Sequence, residues 1–598
     1  MKESCNDKQE CLGCGCVNRN HKNHAYEFRK KIAEIRINNE KYDYKNHIMH
    51  IKKFSSKDRN YISQYHKGLL HNDTGDLVYP EDYEKLVKYV ECNDQYNIKL
   101  LHMGTPCSKF HDPFGSLSVT YMGMDVQHYN IIQPPDIGSI EIASEMLELY
   151  YMADAREQQL QFITWSSIFP IEEMTEILPT LIDPPVATKC ACEFTNHTIF
   201  RGATTYEHIG PYISQFLFLN IPMSNIFIPQ IYVLSVSSDE MDIGQGRHWG
   251  TDLTTAVQMQ NNDICDFKSE PTTTLNYITT GRDLATFVED DPTTQVYVNT
   301  CNMLFELKAC FKDEFPTSNI YDFMNTYCSK TSIICAINEV CRLALNIATY
   351  WKWQVYMRIR PEAYSILVNE DFKAGTNNYT HPLLFQDAEL INEIADINNN
   401  ENGFPNLINP ANGFIMLPQV YRRGSPNSPS YPSSHAVVAG ACVTVIKYFF
   451  KNEQWINIIN RNRDSSMIPY DKITQFYDES TPIILQSNFE NLTLYPGMAF
   501  PELEQDFPCM SIYSELHKLA SNISFGRMWA GVNYRTDCTQ GMYLGEQVAI
   551  NYLEDMMSTW VQNSNVDANN KTGDVPIIPL EKFNGETIYI KPKICLQK

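Results

Sequence analysis

No run in this 598-residue sequence is apolar for the ~18 residues that a helical membrane span requires, so a soluble chain with no membrane partner is expected. Nor does an apolar h-region follow the start methionine: residues 1–20 are polar and cysteine-rich, and no secretory signal is visible. Positive charge is scarce as well. Against 71 Asp and Glu stand only 48 Lys and Arg, a formal net charge of −23, which argues against nucleic acid as a partner of the acidic body. Strand-like alternation is rare and no segment repeats at a fixed period. That leaves an all-α fold, helical bundles packed on one another with long loops and few strands.

What is there is unevenly spread. Residues 1–60 carry fourteen Lys and Arg against eight Asp and Glu, so the start of the chain is basic and the remainder more acidic than the total suggests. A basic arm laid over an acidic body and an ordinary solvated helix both fit that asymmetry. Hydrophobic residues make up 43% and aromatics 12%, ample for a large core. Eighteen cysteines are scattered along the chain. Cys5, Cys11, Cys14 and Cys16, followed by His21 and His24, have the residue types for zinc or for disulfides, and their spacing does not decide between them. Frequent Asn, Ile, Lys and Tyr suggest an AT-rich genome such as a large virus carries. The expected location is therefore cytoplasmic or within a virion.

Taken in order, 26–91 reads as charged helix around a turn-rich connector, YHKGLLHNDTGDLVYP. Residues 112–135 cross the surface without regular structure. Ser139 is placed to cap a strong helix, SIEIASEMLELYYMADAREQQLQF. HIGPYISQFLFLNIP is predicted as a buried helix, 283–307 and 318–360 show helical periodicity, and the Asn-rich run at 397–412 reads as a long surface loop. Two helices are expected within 503–555, then a short β-like tail. The predicted organisation is a cysteine-rich segment at 1–25, one helical domain at 26–555, and a tail at 556–598.

Three separated stretches carry the chemistry. In YPSSHAVVAGACVTV, a turn through Ser433, Ser434 and His435 runs into an apolar helix, so amide groups, a hydroxyl and an imidazole meet at a helix N-terminus. In YWKWQVYMRIRPEAY, Lys352 and Arg360 are eight residues apart; on one helix that is about 80° of azimuth and about 12 Å of rise, a grip on an anion from two sides. Pro361 disfavours helix at Arg360, so its guanidinium is expected at the end of that helix, where a cation is favoured. In NISFGRMWAGVNYRTD, Arg527 offers a planar fork, and Asn533 and Asp537 are spaced to hydrogen-bond. Collectively these describe a pocket for a phosphate-like oxyanion.

The ordered set K-x7-RP, GSPNSPSYPSSH and GR-x5-N-x3-D resembles the vanadium-dependent haloperoxidases of the bromoperoxidase-type branch, and more distantly the acid phosphatases that share their pocket. Further stretches look like the same family, among them EMLELYYMADAR, FRGATTYEHIGPYISQFL, GRDLATFVEDDPTTQVY and ELHKLASNISFGR, so that the similarity runs from about Tyr26 to Asp555. The resemblance implies that vanadate, or phosphate in its place, is held by Lys352, Arg360 and Arg527, by the Ser433 hydroxyl and by the Ser434 amide. His435 would handle protons, and the chemistry would be halide oxidation by hydrogen peroxide. It also implies a homo-oligomer or a larger assembly.

The sequence departs from the family pattern at three positions. Ser434 stands where glycine is usual, Ser428 where bromoperoxidases have a second histidine, and Asn533 where the family has the histidine that bonds vanadium. A carboxamide has no basic ring nitrogen, so Asn533 serves neither as that ligand nor as the nucleophile of the phosphatases. His517, on the preceding helix, is the nearest substitute in sequence. The expectation is an oxyanion-binding or structural protein whose catalysis is lost or weakened; the alternative is a working peroxidase.

Overall fold

A central pair of helices meets without side chains between them. The computed structural model describes most of residues 61–458, all of 509–560 and 577–592, and six positions between 26 and 34; the chief stretches outside the description are 1–25, 35–60, 161–179, 186–198, 237–247, 264–269, 316–327, 402–412, 459–508, 561–576 and 593–598. In chain order the helices are α1 (Pro80–Glu91), α2 (Ile140–Asp154), α3 (Leu253–Asn261), α4 (Gly281–Phe287), α5 (Gln295–Glu306), α6 (Lys330–Tyr350), α7 (Pro361–Ala374), α8 (Ala388–Glu401), α9 (Ser434–Phe449), α10 (Ile512–Trp529) and α11 (Arg535–Trp560). The described strands form two-stranded antiparallel ribbons: β1 (Ile221–Met223) with β2 (Ile226–Ile228), β3 (Tyr232–Val236) with β4 (Glu270–Asn276), and β5 (Ile578–Glu581) with β6 (Thr587–Ile590). The fold is all-α, and the ribbons are trim.

Every residue of α9 from Ala436 onward is buried, which is why its sequence is apolar or small all round rather than on one stripe. It packs against α6, α10 and α11. The contact with α11 is the closest: a Cβ built on Gly440 would lie 2.1 Å from the Met542 carbonyl oxygen, and one on Gly545 would lie 2.0 Å from that of Val437. Glycine here permits backbone-to-backbone approach, and the approach delivers the start of α9 to the start of α11, where the Ser433 amide donates to the Asp537 carbonyl at 2.9 Å. The capping expected at Ser139 is present, its hydroxyl accepting from the Ile142 amide at 3.3 Å. In the tail, Ile578, Leu580, Phe583 and Ile590 are buried in the same core as the helices, and the Phe583 amide donates to Glu546 at 2.6 Å.

Several expectations are corrected. HIGPYISQFL is not helical; it is a buried irregular segment with one 3-10 turn at Gln215–Leu217, because Gly210 takes a positive φ, Pro211 follows, and the Ser214 hydroxyl accepts from the Phe216 amide, a local turn that competes with helix. The Asn-rich run begins inside a helix, since α8 reaches Glu401 and Asn398 is buried with its Nδ2 donating to the Phe414 and Met416 carbonyls; 402–412 lie outside the described residues. Residues 330–356 are long and apolar enough to cross a bilayer, contrary to expectation, but half of that window is buried inside the protein. The six N-terminal Cys and His positions also lie outside the described residues.

The close helix contact yields a stability prediction. Gly440→Ala and Gly545→Ala should each lower stability by at least about 1–3 kcal/mol, because the new methyl meets backbone that has nowhere to relax. Urea denaturation of the two variants would check this, and wild-type midpoints for both would show that the helices are not packed so closely.

Candidate functional site

The segment joining α6 to α7 is not one helix. After Tyr350 the chain takes a π-helical turn, Trp351–Tyr356, and stops at Met357, which adopts a left-handed conformation with φ 43°. Arg360 is then the N-cap of α7, with Pro361 in the first turn. The cation expected at a helix C-terminus therefore sits at a helix N-terminus, where the macrodipole opposes it; proline, which is tolerated at a first turn and lacks an N–H, starts the new helix rather than ending the old one. The single-helix azimuth does not apply, yet Lys352 and Arg360 still converge, because both are held by the turn that precedes α9.

Lys352 Nζ donates to the Pro429 and Ser430 carbonyls at 2.7 and 3.1 Å. Arg360 donates to the Ser428 carbonyl at 2.8 Å and the Ser428 hydroxyl at 3.1 Å, to the Val532 carbonyl at 2.8 Å, and to Asn533 Oδ1 at 3.1 Å. Arg527, near the end of α10, donates to the Val288 carbonyl at 3.1 Å and lies over the Tyr421 ring, 5.4 Å from its centroid. All three cations are buried. Burial, then the Arg360 charge, holds the Lys352 amine well below the usual lysine range, and burial, then Arg527, pulls Arg360 down to about 10.

Buried cations of this protein fall into two kinds, those paired with a carboxylate and those, such as Arg156 and Lys312, held by carbonyls; what marks the present three is that they lie together. Lys67 pairs with Glu362 at 2.8 Å, Arg535 with Glu148 at 2.5 Å, and Lys518 with Glu515 at 2.7 Å, all buried. Among the described residues Lys352, Arg360 and Arg527 have no carboxylate, only carbonyls, hydroxyls and a carboxamide, although they lie close enough to shift one another. Two donors in the same cluster, Ser433 Oγ and Arg527 Nε, are buried with no protein hydrogen-bond partner. Ser433 is the N-cap of α9 yet does not use its hydroxyl to cap it. Ser434 and His435 open the first turn, both partly exposed. The first turn of a helix presents amides that lack intrahelical acceptors. Uncompensated charge and unused donors in one place are the chemistry of an anion site.

Asn533 lies just before α11, and its carboxamide is fully engaged. Its Nδ2 donates to the Ser430 carbonyl and to Asp537 Oδ2, each at 3.0 Å, while Oδ1 accepts from Arg360. Only this orientation of the amide satisfies all three partners. Asp537 Oδ2 also accepts from the Tyr534 amide at 2.9 Å and from the Ser430 hydroxyl; Oδ1 accepts from Arg358 at 2.7 Å. Arg358 continues to Glu145 of α2 at 2.7 Å and stacks on Tyr534, 4.0 Å from its centroid.

Two neighbours were not singled out from the sequence. Arg358 sits one position inside the K-x7-RP motif, masked by it, and its acidic partner Glu145 is in an unrelated helix. His111 is tied to the site by its backbone, the amide donating to the Asn427 carbonyl at 2.7 Å and the carbonyl accepting from Trp353 Nε1 at 3.1 Å. Burial, then the charges of Arg360, Lys67, Arg423 and Lys352, lower its imidazole pKa. No local signal marks it. His517 does not join the site: Nε2 faces Lys447 Nζ at 2.9 Å and Nδ1 faces the Thr205 carbonyl, so both nitrogens are engaged elsewhere.

Residues 411–562, which hold Ser433, His435, Arg527, Asn533 and Asp537, match the family model described as the VCPO second helical-bundle domain. The vanadium-dependent bromoperoxidase of Corallina officinalis is 28% identical over 599 residues, covering 89% of this chain and 92% of the relative. That of Ascophyllum nodosum is 24% identical over 532 residues, covering 86% of each. The homohexameric structure of the second vanadate-dependent bromoperoxidase from Ascophyllum nodosum superposes with a TM-score of 0.74 at 21% identity, covering 99% of this chain and 94% of that one. Motif order, fold and near full-length similarity agree: this chain resembles the vanadium-dependent haloperoxidases.

Proposed function

We propose that the chain binds a tetrahedral oxyanion, phosphate or vanadate, at the Lys352–Arg360–Arg527 cluster, and that its capacity for peroxide-dependent halide oxidation is lost or weakened. The observation that carries the reading is the cluster of three buried cations with no carboxylate at hydrogen-bond distance among the described residues, together with the unpartnered Ser433 hydroxyl. The residues fit an ion held by charge and hydrogen bonds. They do not fit a nitrogen bond to vanadium, because Asn533 offers only an amide whose two ends already face Arg360, Ser430 and Asp537. When bound, vanadate supplies a Lewis acid that polarises peroxide. Lys352, Arg360 and Arg527 would neutralise the anion, Ser433 and the Ser434 amide would donate to it, and His435 would carry a proton beside it. The homohexamer formed by the Ascophyllum protein supports a homo-oligomer here, and with it a structural or assembly role.

One observation favours a second reading, a working peroxidase: His435 is retained in the first turn of α9, next to a serine hydroxyl that caps nothing. Purified protein loaded with vanadate and assayed for peroxide-dependent bromination separates the two. The proposed reading expects turnover at the level of buffer, and clear turnover that His435→Ala abolishes would sink it. Asn533→His should then restore vanadate affinity and create bromination from none, since the cradle is otherwise complete; a variant that binds vanadate no better than wild type would count against the pocket itself.

The buried charge gives a test independent of catalysis. Because the folded-state pKa of Lys352 is lowered, folding favours its neutral form; the penalty is full at low pH and fades as pH rises through the folded pKa toward the ordinary value of 10.5. The stability difference between Lys352→Met and wild type should therefore favour the variant most at low pH and shrink as pH rises. Phosphate should stabilise wild type by mass action and leave the variant unmoved. Melting curves across pH, with and without phosphate, measure both effects.

A further inference from the structure

We propose that Tyr65 is a binding residue of this oxyanion site, donating its phenolic hydrogen to the bound anion. The inference rests on the anion-binding reading above and adds a donor from the opposite end of the chain, outside the matched family model at 411–562. Tyr65 is 1% exposed, and its hydroxyl has no protein hydrogen-bond partner among the described residues. A buried hydroxyl without an acceptor destabilises a fold, so one that is kept asks for an explanation.

Its position supplies one. The Tyr65 amide donates to the Met357 carbonyl at 2.7 Å, and Gln64 forms a bridge with Arg358, so this segment runs alongside the link between Lys352 and Arg360. The ring packs edge-on against Trp353, the neighbour of Lys352, with centroids 5.5 Å apart. Arg360 and Glu362 are the charges that act on the phenol. Glu362 does not accept from it: that carboxylate already receives Lys67, Gln260 at 2.5 Å and the Ser425 amide. What remains is the Arg360 side, where Ser433 Oγ and Arg527 Nε are likewise buried and unpartnered. Three donors from three separate segments thus lack acceptors near three cations that, among the described residues, have no carboxylate at hydrogen-bond distance. One tetrahedral oxyanion supplies four acceptor oxygens and the missing charge. Burial raises the phenol pKa well above 10, so the group stays a donor across the working pH range.

The test is the pairing of stability with affinity in Tyr65→Phe, which deletes one oxygen and keeps the ring. Isothermal titration with inorganic phosphate should show affinity roughly tenfold or more below wild type, the cost of losing a hydrogen bond to a charged group. Melting without phosphate should show equal or higher stability, because the deleted hydroxyl bonds nothing in the protein. Ser433→Ala should show the same pairing. Wild type that fails to bind phosphate at millimolar concentration overturns the anion reading itself. Wild type that binds, with Tyr65→Phe of equal affinity, overturns the role of Tyr65 alone; so does a Tyr65→Phe protein that is less stable but binds equally, since its hydroxyl then serves a structural water. Should Tyr65→Phe fold poorly, 3-fluorotyrosine at position 65 in otherwise wild-type protein gives the same decision. Its fluorine resonance must move when phosphate is added, and an unmoved resonance overturns the proposal.

Discussion

The Asp537 carboxylate is the tie on which the site and much of the bundle depend. It receives Arg358 on one oxygen, and Asn533, Ser430 and the Tyr534 amide on the other, while its main-chain carbonyl receives the Ser433 amide. One buried anion thus holds the start of α11, the turn before α9 and the segment leading to α7 in a single register. The positions of Lys352 and Arg360 follow, since the carbonyls that hold them belong to those same segments. In a low-dielectric interior such a group stabilises only while every partner is present, and loss of one leaves a buried charge uncompensated. The arrangement also accounts for how asparagine fits at position 533, since its Nδ2 gives Asp537 a donor while its Oδ1 accepts from Arg360.

Charge distribution separates scaffold from site. Four buried cations, Lys67, Arg358, Lys518 and Arg535, have carboxylates at hydrogen-bond distance, and those pairs lock helices together. Lys352, Arg360 and Arg527 share a neighbourhood and, among the described residues, have no carboxylate at hydrogen-bond distance. Asp537 is the main acid acting on Lys352 and Arg360, and its oxygens are already taken by Arg358, Asn533, Ser430 and the Tyr534 amide. Three buried cations repel one another, and one carboxylate shared with Arg358 offsets only part of that repulsion, which is the physical ground for the oxyanion proposed above.

Much of this was legible in the sequence, for definable reasons. Long periodic or uniformly apolar segments became helices close to where their patterns placed them, α2, α9, α10 and α11 among them. The convergence of Lys352, Arg360 and Asn533 on the turn before α9 was legible because these residues stand in stretches of distinctive order and spacing. What escaped has long-range causes. Arg358 finds Glu145 from more than two hundred residues away, Tyr65 reaches the site through a backbone pairing, and His111 is placed by a loop that no periodicity marks. Local rules also conflict at Arg360: Pro361 fits the end of one helix or the start of the next, and in the structure it starts α7. HIGPYISQFL misled because burial, not helicity, is what its apolar residues encode.

The π-helical turn at Trp351–Tyr356 has a consequence of another kind. A π turn closes hydrogen bonds five residues apart instead of four, so it amounts to one residue inserted into a helix. Removing one residue there would restore ordinary helical winding without touching any side chain of the site. It would also rotate everything beyond it by about 100° relative to Lys352, carrying Arg358 away from Asp537 and Arg360 away from Asn533. The spacing of seven between Lys352 and Arg360 is thus a length standard as much as a motif. The anion site is specified by how many residues the chain spends between its cations, not only by which residues they are.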